Sequence, residues 1–312
     1  MSLADALSRA LDARRPLLER LAAEDTDCVR LFHGVTEGRP GLAIDRYGDT
    51  LLGQIWGLPL EEHEHDAVDA VFGDVTWRIR GTSQPPTEPG WCREGGLSFA
   101  FQAIHQGIDP WVFLDFRAGR RWLAAHVAAH PGCSVLNTFA YTCTAGVVAG
   151  AAGAGRVLNV DHAKRWTSIG RRNAHENDVE MRFLQVDYFA AVRQMAGLKV
   201  GRRGKRLPRV QKASFDVIVL DPPTRTKGPF GAVDIVNDYA SLFKPAWLCL
   251  EEGGVLLATN HSPHVALDDW LASCRRCAEK AGRPVQDVEV IAVDADFPSF
   301  DGAPPLKMAA FR

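Results

Sequence analysis

The stretch FDVIVLDPPT, residues 215–224, decides the fold of this chain. Its run of apolar, β-branched residues predicts a strand buried on both faces, and the run stops abruptly at Asp221. Pro222 and Pro223 cannot continue the strand, because proline has no N–H group to donate to a neighbouring strand. The stretch therefore predicts a central strand of a parallel sheet that ends in a stiff turn.

Similar apolar segments occur on both sides of this strand, separated by helical or insertion segments. They are CSVLNTF (133–139), GRVLNVD (155–161), MRFLQVD (181–187), GGVLLAT (253–259), QDVEVIAV (286–293) and PLKMAAFR (305–312). Strands that alternate with helices predict an α/β fold, here a Rossmann-like, doubly wound sheet of seven strands. Polar residues end several of these strands, and the carboxyl edge of such a sheet is where ligands bind.

The N-terminal third of the chain has a different pattern. Residues 3–23 repeat leucine at helical intervals and predict an amphipathic helix. Short strand-like runs with turn signals follow, together with one helical segment. We expect two domains, a small α+β substrate-facing domain over residues 1–112 and a catalytic domain over residues 113–312.

Composition narrows the class of protein. The 312 residues are 46% hydrophobic and carry a net charge of −2, so RNA binding would need a local basic patch. Without a long apolar run or a signal-peptide pattern, we expect a cytoplasmic protein with no membrane partner. The seven cysteines indicate reduced thiols; Cys274 and Cys277 lie in a helical pattern, which favours packing over zinc binding, so no metal is expected. A homodimer stays open.

The segment NTFAYTCTAG, residues 137–146, joins the first strand to a helix. Small residues at a helix N-terminus suit a ligand held by backbone amides, but the GxGxxG pattern of a dinucleotide site is absent. Asp161 follows about 20 residues later, where an acidic side chain can accept ribose hydroxyls. An N-cap of the next helix is the alternative for Asp161. Asp187 and Asp221 end the next two strands, so three carboxylates are expected at one edge.

The stiff turn after Asp221 predicts a contact with the substrate. Two successive prolines hold the Pro222 carbonyl outward, where it can accept N–H groups of a base. An ordinary surface turn is the alternative, although Asp-Pro-Pro is rare directly after a buried strand.

Taken together and in order, these segments resemble bacterial class I methyltransferases of large-subunit ribosomal RNA, the cytosine-5 and guanine-N7 enzymes. RLFHGVTEGRPGLAIDRYGD (30–49) resembles the family segment HG-x-G-x-PGL-x-x-DR-x-GD, and VFLDFRAGRRW (112–122) resembles FFLDQR-x-x-R. VLNTFAYTCTAG (135–146) resembles the donor loop LN-x-FSYTG, and LDPPT (220–224) and the closing PLKMAAFR complete the match.

The resemblance implies that S-adenosylmethionine is the methyl donor and that RNA, ribosomal in this family, is the substrate. The implied donor site is formed by Phe113, Asp115 and Arg117 over the donor, Phe139, Tyr141, Thr142 and Gly146 at its methionine end, Asp161 at its ribose, and Asp187 with Tyr188 at its adenine.

The sequence departs from the family pattern at four places. The RNA-binding PUA domain of the family has no counterpart, and the N-terminal helix is expected to stand in its place. Cys143 occupies the position of a loop glycine, and Arg225 replaces an aromatic or apolar residue. TNHS, residues 259–262, replaces the cysteine-containing segment of the cytosine-5 branch.

The last departure bears on the atom that is methylated. Cytosine C5 methylation requires a cysteine thiolate that adds to C6, and neither DPPT nor TNHS contains a cysteine. We expect Cys143 to face the methionine moiety and Cys249 to lie inside a helix. The sequence therefore predicts transfer to a heteroatom, a guanine nitrogen. The residues expected to contact the base are Asp221, Pro222, Pro223, Thr224 and Asn260, with His261 in the wall.

Two sets of basic residues are candidates for RNA contact. The run KVGRRGKRLPRVQK, residues 199–212, precedes the fourth strand and is either a solvated loop or an RNA tether. Arg46, Arg117, Arg120 and Arg121 lie nearer the expected substrate side, although packing could account for some of them. A methyltransferase of a small molecule or protein, and a non-catalytic donor-binding or RNA-binding scaffold, are the alternative functions.

Overall fold

The computed structural model describes residues 2–107, 109–201 and 206–312. These separate into two units, each described here by itself. Unit 1 runs to Arg117 and also includes Asp294–Pro304, and unit 2 comprises Ala118–Val293 and Pro305–Arg312. The sequence placed Asp294–Pro304 in the catalytic domain, because nothing in its composition marks a return to the first unit. The centre of the basic run, residues 202–205, lies outside the described residues.

Unit 1 is built on a four-stranded sheet of order β1-β2-β3-β4, in which β4 pairs parallel with β3 and the other neighbours are antiparallel. Its elements are α1 (Leu3–Ala23), β1 (Cys28–His33), α2 (Gly34–Glu37), β2 (Leu42–Tyr47), β3 (Thr50–Ile55), α3 (Glu62–Phe72), β4 (Thr76–Ile79), β5 (Gly90–Glu94) and β6 (Leu97–Phe101), followed by a 3-10 turn at Leu114–Phe116. Ser2 and Asp5 form a capping box that starts α1. The leucine stripe of α1, including Leu7 and Leu21, is buried in the core of this unit.

Unit 2 contains a seven-stranded sheet of order β14-β15-β13-β10-β7-β8-β9. The elements are α4 (Arg117–Ala129), which begins at the unit boundary, β7 (Ser134–Thr138), α5 (Thr144–Ala151), β8 (Arg156–Val160), α6 (Lys164–Glu176), β9 (Arg182–Leu184), α7 (Tyr188–Met195), β10 (Phe215–Leu220), β11 (Arg225–Lys227), β12 (Ala232–Asp234), α8 (Ala240–Trp247), β13 (Leu250–Asn260), α9 (Leu267–Lys280), β14 (Val288–Ile291) and β15 (Lys307–Phe311).

This sheet confirms the predicted doubly wound α/β fold. The strands β9, β8, β7, β10 and β13 are parallel, whereas β15 runs antiparallel to both β13 and β14. The apolar residues at the centres of β7, β10 and β13, including Leu136, Ile218 and Leu256, are completely buried. Because the parallel strands share one direction, their polar carboxyl ends collect at one edge of the sheet.

Among the described residues, no helix is both long enough and apolar enough to cross a membrane.

Candidate functional site

The loop between β7 and α5 has a strained backbone. Phe139, Tyr141 and Cys143 adopt left-handed conformations with φ of 52°, 49° and 61°. Such a conformation costs a residue with a Cβ atom about 1–2 kcal/mol and is characteristic of functional sites. A glycine at position 143, as in the resembled family, would adopt this φ without that cost. Three such residues in one short loop make it a candidate ligand-binding loop.

The thiol of Cys143 does not face outward from the loop. Its Sγ is buried and packs against α6 at Gly170, where an added Cβ would lie 2.5 Å from the sulfur. Burial raises the pKa of this thiol, and the nearby Asp161 carboxylate raises it further. The expected contact of Cys143 with the methionine moiety is therefore wrong. Because Gly170 has no side chain, the sulfur of Cys143 packs between the loop and α6.

Asp161 links the second strand to this loop. Its two carboxylate oxygens accept hydrogen bonds from the backbone N–H groups of Tyr141 and Ala163, each at 2.9 Å. The N-cap residue of α6 is Ala163, so Asp161 is not the N-cap that the sequence left open. Burial raises the pKa of Asp161, and these N–H donors oppose the rise. The carboxylate is thus positioned by the loop and keeps further lone pairs, while its contact with ribose stays a prediction.

Asp187 and Tyr188 begin α7 at the end of the third strand. Asp187 is the N-cap, and its Oδ1 accepts from Phe189 N at 2.9 Å. Its Oδ2 faces Gly228, whose added Cβ would lie 2.5 Å away. Tyr188 is buried, its hydroxyl donates to the carbonyl of Leu242 at 2.6 Å, and its ring stacks on Phe139 at 4.6 Å. Tyr188 therefore supports Phe139, whereas the adenine contact of Asp187 stays a prediction.

Gly146 packs the end of the loop against the sheet, and Thr142 ties the loop to α6. A Cβ at Gly146 would lie 2.2 Å from Oδ1 of Asn159, the atom that accepts a 2.8 Å bond from Nδ2 of Asn137. Thr142 is buried, and its carbonyl accepts a bond from Nδ2 of Asn173 at 2.9 Å. The structure thus gives both residues a packing role, through which they shape the donor loop.

Asp221 lies at the carboxyl end of β10 beside the end of β13. The hydroxyl of Thr259 donates to its Oδ1, and His261 and Arg120 act on it electrostatically at longer range. Burial is the largest influence and raises the pKa of Asp221, while these neighbours oppose the rise. Thr259 lay within TNHS but was not predicted as a site residue, because nothing in the sequence shows which strand end faces Asp221.

The stiff turn presents a carbonyl and an exposed wall. Pro222 is buried and Pro223 is exposed, as expected for a turn that leaves the sheet. Within the described part of the chain, no N–H group donates to the Pro222 carbonyl. Oγ1 of Thr224 lies 2.6 Å from Nε2 of His261. The structure therefore brings four of the predicted base-contacting residues and His261 to the ends of two adjacent strands.

Asn260 has a different role from the predicted one. It is completely buried, its Nδ2 donates to the carbonyl of Ile235 at 2.9 Å, and its Oδ1 accepts from the N–H of Ser262 at 3.0 Å. Both ends of the amide are occupied by backbone, so Asn260 anchors the segment after β12 and cannot also hold the edge of a base.

Phe113, Asp115 and Arg117 belong to unit 1, and their predicted donor contacts stay predictions. Phe113 is 43% exposed and Asp115 is half-buried. Arg117 is 1% exposed and donates to Asp294 at 2.9 Å, to Asp296 at 2.8 Å and to the carbonyl of Cys28 at 3.2 Å. A guanidinium enclosed by two carboxylates has no surface left for phosphate, so the proposed RNA contact of Arg117 is wrong.

A hairpin between the turn and α8 was not predicted. β11 and β12 pair antiparallel, and Arg225 donates to Oδ2 of Asp234 at 3.1 Å. Both strands are short and mostly exposed, so they lack the apolar alternation by which strands are recognised. The two glycines of the turn, Gly228 and Gly231, were the feature of the sequence that could have indicated a hairpin. This hairpin carries Gly228 to the carboxylate of Asp187.

Over the residues that the structure describes, no cluster of three or more histidine, cysteine or acidic side chains could hold a metal ion.

Comparisons with known proteins agree with this geometry. The sequence model of the S-adenosylmethionine-dependent methyltransferase family matches residues 80–312. Ribosomal RNA large subunit methyltransferase I of Aeromonas salmonicida is 28% identical over 94% of this chain and 74% of that protein. The enzyme of the same name from Shewanella denitrificans is 29% identical over 86% of this chain and 69% of that protein.

Solved structures show the same fold. A candidate methyltransferase solved in complex with SAH superimposes with a TM-score of 0.80 at 20% identity, covering 99% of this chain and 81% of that chain. The SAM-dependent methyltransferase of Agrobacterium tumefaciens superimposes with a TM-score of 0.62 at 18% identity, covering 92% and 89%.

The family match covers the strained loop, the three strand-end carboxylates and the Asp-Pro-Pro turn. The cofactor is accordingly S-adenosylmethionine, and the loop and Asp161 suit it, since nucleoside hydroxyls need a fixed acceptor. The chain belongs to the S-adenosylmethionine-dependent methyltransferases.

Proposed function

We propose that this enzyme methylates a base in ribosomal RNA, at a guanine nitrogen and not at cytosine C5. The names of its relatives support ribosomal RNA as the substrate. The choice of atom rests on one observation, the position of the cysteines in unit 2. Transfer to C5 needs a thiolate beside the reacting base, whereas a nitrogen lone pair attacks the methyl group directly.

The cysteines of unit 2 lie away from Asp221. The carbonyl of Cys249 accepts from Phe215 N at 2.9 Å, which places Cys249 between α8 and β13, at the amino end of β10. The sequence had put it inside a helix. Cys133 precedes β7 at the same edge, and Cys274 and Cys277 lie on α9. Burial raises the pKa of Cys249 to about 12, so its sulfur stays protonated and is a poor nucleophile.

The remaining cysteine of unit 2, Cys143, is in the donor loop but is equally unsuited to attack a base. Its sulfur packs against Gly170 and its pKa is raised by burial. A covalent route would require both a change of rotamer and the loss of a proton in an apolar layer. Direct attack by a ring nitrogen requires neither.

The side chains at the ends of β10 and β13 fit such an attack. The bound cofactor supplies an electrophilic methyl group on a sulfonium cation. A ring nitrogen that accepts the methyl through its lone pair becomes positively charged, and the carboxylate of the half-buried Asp221, at the end of β10, stabilises that charge. The Pro222 carbonyl accepts an N–H group of the base and aligns it. Thr224 and His261 form the exposed wall of this site.

The proposal is tested with RNA that contains 5-fluorocytosine, which traps a cysteine adduct in the C5 reaction. We expect the wild type to transfer label from the donor to unmodified ribosomal RNA and to form no stable protein–RNA adduct. Cys249→Ala and Cys143→Ala are assayed in parallel, with Ser168→Ala at an exposed position of α6 as the matched control. An adduct that disappears in either cysteine variant contradicts the choice of atom; label that enters protein or small molecules and not RNA contradicts the substrate.

A further inference from the structure

Unit 1 contains an open cavity of about 740 Å³ beside its edge strand β4. Its wall is formed by the segment Arg78–Pro86 and by residues 104–107. No aspartate or glutamate is among the lining residues, which include two arginines. All of the lining residues belong to unit 1.

The segment around the cavity is held in place by its own side chains. Oε1 of Gln84 accepts from the N–H of Ile79 at 2.7 Å, and Nε2 of Gln84 donates to the carbonyl of Trp77 at 2.9 Å. The hydroxyl of Thr82 donates to the carbonyl of Ile79 at 2.8 Å. These bonds tie the turn after β4 back onto that strand. The cavity wall is therefore an ordered surface that carries polar groups.

Its two arginines are largely desolvated and form no direct ion pair among the described residues. Arg78 is 9% exposed and donates only to the backbone carbonyls of Ala103, His105 and Gly107. Arg80 donates to Oε1 of Gln54 at 2.6 Å, while its Nε is buried and has no partner. Within the described residues, neither guanidinium forms an ion pair with a carboxylate. Burial lowers the pKa of both groups, and the Asp109 carboxylate only partly opposes the fall.

Such a pair of cations favours an anion. Arginine is the side chain best suited to a phosphate oxygen, since its planar N–H groups donate in a fixed geometry. The chain has a net charge of −2, so it has no overall attraction for RNA and needs a local cationic site. Arg117 cannot supply that site, because Asp294 and Asp296 enclose it.

We propose that this cavity binds a phosphate of the substrate RNA backbone, with Arg80 as the principal donor and Arg78 as the supporting charge. The inference rests on the proposed RNA substrate. In this proposal, unit 1 binds the RNA backbone through a phosphate, and this contact does not depend on which base is methylated. Contacts of this kind position a nucleic acid without reading its sequence.

The test compares Arg80→Gln and Ser83→Asp with wild type by fluorescence anisotropy of a single-stranded ribosomal RNA oligonucleotide. Glutamine at position 80 keeps an N–H donor for Gln54. Ser83 is exposed at the cavity wall, so its replacement by aspartate adds a negative charge there without loss of packing. Arg15→Gln and Ser8→Asp make the same charge changes at exposed positions of α1 and serve as matched controls. Thermal unfolding and donor calorimetry establish that each variant is folded.

We expect both cavity variants to bind RNA about tenfold more weakly than their controls, because Arg80→Gln removes a charge-assisted hydrogen bond and Ser83→Asp places a carboxylate that repels phosphate. The slope of log K against log salt should fall by about 0.7 for Arg80→Gln, the value for one phosphate contact on a single strand. Binding equal to that of the controls overturns the inference. Tight binding of inorganic pyrophosphate together with unchanged RNA binding also overturns it, in favour of a small anion.

The proposed function fails in a different way. If the wild type methylates ribosomal RNA and the cavity variants bind it as the controls do, only the phosphate site is wrong. If the wild type neither binds nor methylates RNA, the substrate and the phosphate site are both wrong.

Discussion

Asp161 supplies the carboxylate on which donor binding is expected to depend. Asp161→Ala should weaken binding of S-adenosylmethionine about 10- to 100-fold, because it removes charge-assisted hydrogen bonds worth about 1.5–3 kcal/mol. Calorimetry with the donor measures this, and Asp161→Asn retains the size of the side chain. Glu176→Ala, an exposed acidic position on α6, is the control. An unchanged dissociation constant in folded Asp161→Ala would remove Asp161 from the donor site.

Gly146 tests the packing beneath the strained loop. An alanine there would place its Cβ 2.2 Å from Oδ1 of Asn159, inside a buried amide pair. Overpacking of this kind costs about 1–3 kcal/mol. We expect a lower urea midpoint with an unchanged m-value, whereas the exposed Ala151→Ser on the same helix should leave the midpoint in place. Equal urea midpoints for the two variants would mean that α5 moves away from the sheet without loss of folding free energy.

The sequence could predict those residues whose role follows from their place on a strand. Asp161, Asp187 and Asp221 each end an apolar run, and that alone puts them at the carboxyl edge of the sheet. The role of Asn260 could not be predicted in this way. Its partners are backbone groups of Ile235 and Ser262, and the position of Ile235 depends on the hairpin that precedes it.

At the scale of elements, unit 1 holds Asp294–Pro304 through buried ion pairs with Arg117 and through a hydrogen bond from the backbone of β1. Asp296 is completely buried and accepts from Arg117 at 2.8 Å and from the N–H of Arg30 at 3.1 Å. Arg14 donates to its backbone carbonyl at 3.3 Å. This segment therefore completes the first unit, although the sequence separates it from the rest of that unit by the whole second unit.

Removal of Asp296 should destabilise unit 1. In Asp296→Ala, Arg117 stays buried with one carboxylate lost, and breaking a buried pair costs about 3–5 kcal/mol. Chemical denaturation followed by tryptophan fluorescence gives the free energy of unfolding. Asp12→Ala breaks the exposed pair with Arg15 and should change it by less than about 1 kcal/mol. Similar losses in the two variants would contradict the importance of the buried network.

The elements that the sequence predicted well are those with strong periodicity. The stripe of α1 and the apolar strands of unit 2 were recognisable because burial of one face, or of both, sets their pattern. The β11–β12 hairpin lacked such a pattern because its strands Arg225–Lys227 and Ala232–Asp234 are mostly exposed. Nothing local separates exposed short strands from a loop, so their existence depends on tertiary contacts.

At the scale of the whole molecule, His33 should make stability depend on pH. Burial, followed by the nearby cation of Arg30, lowers the pKa of His33 to about 4 from an ordinary value of 6.5. The unfolded chain therefore binds a proton between pH 6.5 and pH 4 that the folded chain does not bind. Stability must fall as pH falls through this window.

The variant His33→Asn should lose less stability on acidification than the wild type. Between about pH 7 and pH 5 we expect the difference to be about 1 kcal/mol, after allowance for the partial exposure of the ring. Unfolding free energies measured at both pH values test this, with His63→Asn at an exposed position of α3 as the control. An identical pH dependence in His33→Asn and wild type would show that folding does not lower the pKa of His33.

The most direct measurement of the central claim is mass spectrometry of nucleosides from large-subunit ribosomal RNA of cells that lack this protein. We expect the loss of one methylated guanosine, its return when the wild-type chain is restored, and its continued absence with Asp161→Ala. Ribosomal RNA with an unchanged set of methylated nucleosides would contradict the proposed substrate, and the loss of a 5-methylcytidine would contradict the proposed chemistry at Asp221 and Pro222.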